Sequence, residues 1–162
     1  MTRPRGTLSV LCALAALAGC SGGPPPVPPA AMSADEVRAF FERDPAGRAS
    51  LGLDGPADRP FCGVDVLGGS TDARWTYAWI SCSTYSVEGG RAQERSGVAL
   101  PVRLDATTRT ATLAQDGSAY APSIRAMFPP ALAELVLDQD VRVDRTPEQL
   151  RAAAEKELAT TP

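Results

Sequence analysis

The chain has 162 residues, 44% of them hydrophobic, with 16 basic against 19 acidic side chains and no histidine. That length holds one ordinary domain with residues to spare, and an acidic balance without a basic run excludes electrostatic capture of nucleic acid. The lack of histidine removes the usual general base and the commonest metal ligand, and Lys156 is the only lysine.

The first 19 residues read as a leader. Arg3 and Arg5 give a basic head, and residues 7–17 form an apolar run of eleven. A membrane-crossing helix needs about 20 apolar residues, so this run is too short to span. It ends in Leu17-Ala18-Gly19-Cys20. These four residues resemble the lipobox of bacterial lipoprotein precursors. With a composition rich in Arg, Ala, Gly and Pro, the chain resembles the small exported lipoproteins of actinobacteria. The resemblance implies a diacylglyceryl group on the Cys20 thiol and signal cleavage between Gly19 and Cys20. The protein is then expected in the cell membrane, held by two or three acyl chains and facing the extracytoplasmic side. At about 0.8 kcal/mol per buried methylene, one chain anchors marginally and two hold firmly. Loss of Arg3 and Arg5 leaves 14 of the 16 basic residues against 19 acidic ones, a formal charge of −5. Contact with the membrane is therefore expected to come from the acyl chains alone.

Residues 20–32 follow as the lipidated cysteine and a Gly/Pro-rich tether. Polyproline II geometry, at about 3.1 Å per residue, gives a stand-off of roughly 30 Å. Order is expected from residue 33. Ser33-Ala34-Asp35-Glu36 is a capping box, flanked by Met32 and Val37 at the two staple positions. Val37, Phe40 and Phe41 recur at helical spacing, and Asp44-Pro45 stops the helix. Residues 45–60, rich in Gly, Pro, Asp and Arg, read as a long surface loop. Asp54 and Asp58 within it lack the ligand pattern of a calcium loop and are expected to be solvated.

If Cys20 is lipidated and Cys12 leaves with the leader, Cys62 and Cys82 are the only cysteines left to pair in an oxidising compartment. A structural disulfide there closes a ring of some twenty residues and contributes about 3 kcal/mol through the unfolded state. Neither a redox motif nor a metal site fits the pair. Strand signals then recur at 62–67, 74–86, 97–104 and 109–114, which predicts an antiparallel meander. Val98, Leu100, Val102 and Leu104 share one face. Pro101 cannot donate to a ladder, so its strand is expected to be an edge there or to carry a bulge. The second strand is apolar on both faces: Trp75, Tyr77 and Trp79 on one, Ala78, Ile80 and Cys82 on the other. An open row of rings would suit stacking on a sugar or a flat apolar ligand. With few other aromatics available, the rings are expected instead to be core or half-core.

Asp116-Gly117 marks a turn, followed by a short helix at 122–127 that Phe128-Pro129-Pro130 stops. A second helix is expected through residue 137, with Pro130 in its first turn. Val141 and Val143 suggest an edge strand, while Asp138, Asp140 and Asp144 read as a solvated turn. Thr146-Pro147-Glu148-Gln149 is a second capping box, opening a helix to about Leu158. Its apolar face of Leu150, Ala154 and Leu158 is thin, and weak docking is expected.

Residues 33–162 thus predict a single α+β domain: an N-terminal helix packed on a meander of about four strands, then short C-terminal helices. The arrangement resembles cystatin-like or PepSY-like folds by analogy. No Gly-x-Ser-x-Gly elbow, Ser-x-x-Lys or phosphate-cradling loop is present. A carboxylate-dependent envelope hydrolase is the enzymatic alternative. The reading preferred is a non-catalytic domain, with no catalytic residue, cofactor or metal, that engages an envelope protein. Binding of a glycan or small ligand through Trp75, Tyr77 and Trp79 is the alternative.

Overall fold

A computed structural model describes residues 26–53 and 59–158. The leader, with Leu17-Ala18-Gly19-Cys20, lies outside the described residues, as do Asp54 and Asp58. The described residues form an α+β fold in which a four-stranded antiparallel sheet carries helices on both faces.

Helix α1 (Ala34–Arg43) begins at Ser33, whose hydroxyl accepts from the Glu36 amide while the Glu36 carboxylate takes the Ser33 amide. Val37, Phe40 and Phe41 are all fully buried, the two phenylalanine rings meeting edge-on with centroids 5.0 Å apart. The chain does not enter a plain loop at Asp44, contrary to expectation. Asp44 caps a second helix, α2 (Pro45–Ser50), with Pro45 in its first turn. Gly47 permits it: a Cβ there would lie 2.1 Å from the Phe40 carbonyl oxygen.

The sheet runs β1 (Pro60–Gly69), β2 (Trp75–Glu88), β3 (Arg91–Asp105) and β4 (Thr110–Leu113), in spatial order β1-β2-β3-β4. This is the predicted meander, with β1 and β3 longer than their sequence signals. Alternation assigns the two faces of β2. Ala78, Ile80 and Cys82 join Val64, Val102 and Leu104 beneath α1, with Val98 and Leu100 packed alongside. Tyr77, with Trp75 and Trp79 beside it, turns to the opposite face, beneath helices α3 (Tyr120–Met127) and α4 (Pro130–Leu137). Pro101 shows how the sheet manages its missing donor. Its carbonyl accepts from Ala114 N at 3.2 Å, so its nitrogen faces the side where β4 has just ended at Leu113. The bulge in the β2–β3 pairing lies elsewhere, between Thr84 and Tyr85.

Three further expectations are corrected. Residues 141–143 form no strand: among the described residues the only backbone bond beside them to β1 runs from Asp144 N to Val64 O, 3.1 Å. Carboxylates occupy the amides a ladder would need, with Val64 N donating to Asp144 Oδ1 at 2.9 Å and Arg142 N to Asp65 Oδ2 at 2.7 Å. Asp138, Asp140 and Asp144 are exposed as expected, Asp144 at a bend, but Asp144 also pairs with the buried Arg38. Helix α5 (Pro147–Leu158), opened by the predicted Thr146 box, does not dock weakly. Its Leu150 and Ala154 are buried against Phe61, Tyr85 and Ala92 in a third apolar cluster. Finally, the end of the tether belongs to the domain. Pro28 O accepts from Gly69 N at 2.8 Å, and Met32, itself buried, donates its amide to Thr76 Oγ1 at 2.9 Å. Gly69 allows the approach, because a Cβ there would lie 2.3 Å from Pro29 O. Residues 28–32 are thus part of the domain's packing, contrary to the expectation of a plain tether up to residue 32.

Phe40 sits where α1, α2 and the sheet converge. Phe40→Ala is expected to destabilise the domain by about 3–5 kcal/mol, seen as a lower urea midpoint at unchanged slope.

Candidate functional site

Cys62 and Cys82 are bonded, and they lie directly opposite one another on β1 and β2 with no exposed surface. The pair staples the sheet beneath α1 and is closed to solvent.

Beside it, the outer edge of β1 is built into a charged crevice. Arg38, only 7% exposed, donates from Nε to Cys62 O at 3.2 Å and pairs with Asp35 and Asp144. Glu42, one helical turn on, accepts from Cys62 N at 2.8 Å and lies 3.7 Å from Arg145 Nη1. A cleft of about 400 Å³ opens there between α1 and α5, with Glu42, Arg43, Phe61, Arg145 and Lys156 in its walls. Burial pushes the Glu42 carboxyl above the usual range, against the pull of the Cys62 amide and of Arg145, Arg38 and Arg43.

The three rings singled out in the sequence are indeed on one face, but they are not an open platform. Tyr77 is buried, its ring centroid 5.3 Å from that of Phe128, and Trp79 is half-buried against the same cluster. Burial raises the Tyr77 hydroxyl, and the nearby Arg103 charge partly offsets the effect. Trp75, at the start of β2, differs from both. Arg74 and Arg103 each lie over its ring, their guanidinium carbons 4.7 and 4.5 Å from the centroid. Arg74 is also paired: its Nε and Nη2 donate to Asp105 Oδ2 at 2.8 and 2.6 Å. The other oxygen of Asp105 accepts from the Thr107 and Thr108 amides, and this buried carboxylate is held below the usual range, chiefly by Arg74. Asp105 therefore has nothing left for Arg103. Arg103 Nε is buried without a hydrogen-bond partner among the described residues. Stacking on a ring contributes about 0.5–1 kcal/mol at exposed sites, whereas an unmet buried donor costs about 1–3 kcal/mol. The stack alone does not account for that guanidinium.

A third feature is an apolar cleft of about 540 Å³ between Pro26, Val27 and Pro28 on one side and Pro129, Pro130 and Ala131 on the other. The proline run thus has a structural role that composition did not disclose. Neither Arg103 nor Glu42 was marked by a motif. Register alone could have pointed to Arg103, since it falls opposite Tyr77 on the aromatic face. Among the described residues no group of three or more acidic or cysteine side chains is arranged to hold a metal, and no helix is long and apolar enough to cross a membrane. No protein-family model, curated protein or solved structure matches the chain.

The raised Glu42 carboxyl carries a signed consequence. The native state binds its proton more tightly than the unfolded chain does, so stability is favoured at low pH and falls as pH rises through the raised value. Glu42→Gln keeps the acceptor for Cys62 N and removes the desolvated charge; the partner it forsakes, Arg145, is partly exposed, where such pairs are worth little. Chemical denaturation is expected to find the variant more stable than the wild type at pH 7, with the gap closing toward pH 4.

Proposed function

We propose that the protein is an exported lipoprotein, anchored in the cell membrane through Cys20, whose folded part is a non-catalytic binding domain engaging an envelope partner. The observation that carries the reading is the division of labour among the cysteines. Cys62 and Cys82 are committed to each other, which suits an oxidising compartment. Cys20 is then the one cysteine after Gly19 left for lipid, at the position that the lipobox resemblance marks. The close docking of residues 28–32 supports the same picture, because it gives the anchored end a fixed point of departure from the domain.

The non-catalytic part of the reading is supported by how the described carboxylates are used. Glu42, Asp105 and Asp144 each accept backbone amides and face an arginine. They work as structural acceptors, and a carboxylate hydrolase would need two of them turned toward a shared substrate. The apolar cleft beside Pro26–Pro28 is the surface this reading assigns to an envelope protein. The small-ligand alternative gains from one observation, the unpaired Arg103 beside Trp75.

Two measurements test the proposal in cells. Cys20→Ala is expected either to leave the precursor unprocessed or to release the protein from the membrane and the detergent phase. A photo-crosslinker placed at Ala131 is expected to capture one stoichiometric envelope protein. Unchanged processing and partitioning of the Cys20 variant would sink the anchoring half, and substrate turnover by the purified protein would sink the non-catalytic half.

A further inference from the structure

We infer that Arg103 is the anchor of a binding site for an oxyanion, a phosphate or carboxylate group, at the Trp75 end of the aromatic face. Three observations meet there. The first is the guanidinium itself. Its Nε is buried and unpartnered, and its terminal nitrogens form no hydrogen bond or ion pair with any described residue. The Nε has no surface that a ligand could reach, so the edge on offer is the pair of terminal nitrogens, whose best geometric match is the two oxygens of a phosphate or carboxylate.

The second is that the protein's own carboxylates do not serve. Asp105 lies two residues along the same face of β3 but is filled by Arg74 and by the Thr107 and Thr108 amides. Asp72, whose charge is felt at Tyr77, accepts from the Ser70 hydroxyl and the Arg74 amide. Both are satisfied without Arg103. The stacking on Trp75, meanwhile, fixes the plane of the guanidinium in advance, so that little side-chain freedom remains to be lost on binding.

The third is space. Thr112, the partner of Arg103 on β4, lines a cleft of about 380 Å³ between β4 and α3, together with Gln115, Ser123 and Met127. Arg103 does not itself line that cleft, so a ligand held at the guanidinium would reach it by extending past Thr112, with hydroxyl and amide side chains along its wall. The site needs no lipid on Cys20, so it stands or falls apart from the anchoring proposal. Its ligand has two sources, a free anionic solute or the phosphate of a lipid headgroup. The second is in reach because Pro28, eight residues from Cys20, is bonded to Gly69 near the same end of the sheet.

The test uses the full-length protein in detergent and its Arg103→Gln and Arg103→Lys variants, with tryptophan emission and thermal midpoint as readouts. The probes are inorganic phosphate, citrate, and vesicles with and without phosphatidylglycerol, all at matched ionic strength. Wild-type protein is expected to change its Trp75 emission and gain thermal stability with at least one anionic probe. The Gln variant is expected to bind roughly tenfold or more weakly, and the Lys variant, which keeps the charge without the planar fork, to fall between. Trp75→Phe reports whether the signal comes from the stacked ring. A response to the free anions supports a soluble ligand, and one confined to phosphatidylglycerol vesicles supports a headgroup. Equal responses from wild type and the Gln variant, or none to any probe, overturn the proposal, provided the Gln variant retains the wild-type near-ultraviolet dichroism. A Gln variant that fails to fold passes the decision to Arg103→Lys, for which unaltered affinity is the overturning result.

Discussion

Strand β2 cannot face water on either side, and the rest of the molecule follows from that constraint. Its even-numbered residues Ala78, Ile80 and Cys82 have no exposed surface, and its odd-numbered aromatics need cover as well. A sheet built around such a strand must be layered on both faces. The chain supplies α1 before the sheet and α3, α4 and α5 after it, so one face is closed by the N-terminal segment and the other by the C-terminal one. The disulfide lies at the centre of this arrangement, joining the two strands that α1 covers.

What could be read in advance was local. The Ser33 and Thr146 boxes, the stop at Asp44-Pro45, the proline-opened helix α4 and the alternation of β2 each depend on residues within a few positions of one another. What could not be read depended on distant carboxylates and close backbone approaches. Val141 and Val143 have the alternation of a strand, but nothing in their neighbourhood shows that Asp144 and Asp65 will take the amides. Met32 has the pattern of a staple, yet its bond to Thr76 spans 44 positions. The apolar face of α5 looked thin because its worth is set by Phe61, Tyr85 and Ala92, far away in sequence. For the candidate site the same division holds: the ring row was visible, and the saturation of Asp105 that isolates Arg103 was not.

The two ends of the charge pattern are handled differently. Along the outer edge of β1, acidic groups satisfy backbone amides that would otherwise be open to pairing with another strand. Glu42 and Asp144 do this beside Arg38 and Arg145, so each carboxylate is both an edge cap and a partner for a cation. At the Trp75 end the acidic groups are spent on the turns that begin and end the hairpins, and a cation is left over. The domain's overall acidity conceals this local reversal.

The separation of the α5 cluster from the other two has a consequence for how the molecule opens. Phe61, Tyr85, Ala92, Leu150 and Ala154 form a small apolar unit of their own at the far end of the sheet, apart from the Tyr77 cluster on the same face. Its removal leaves the cystine and the α1 layer intact. An undocking of the C-terminal helix would therefore expose this small cluster alone, at the ends of β2 and β3, and leave the two larger ones closed.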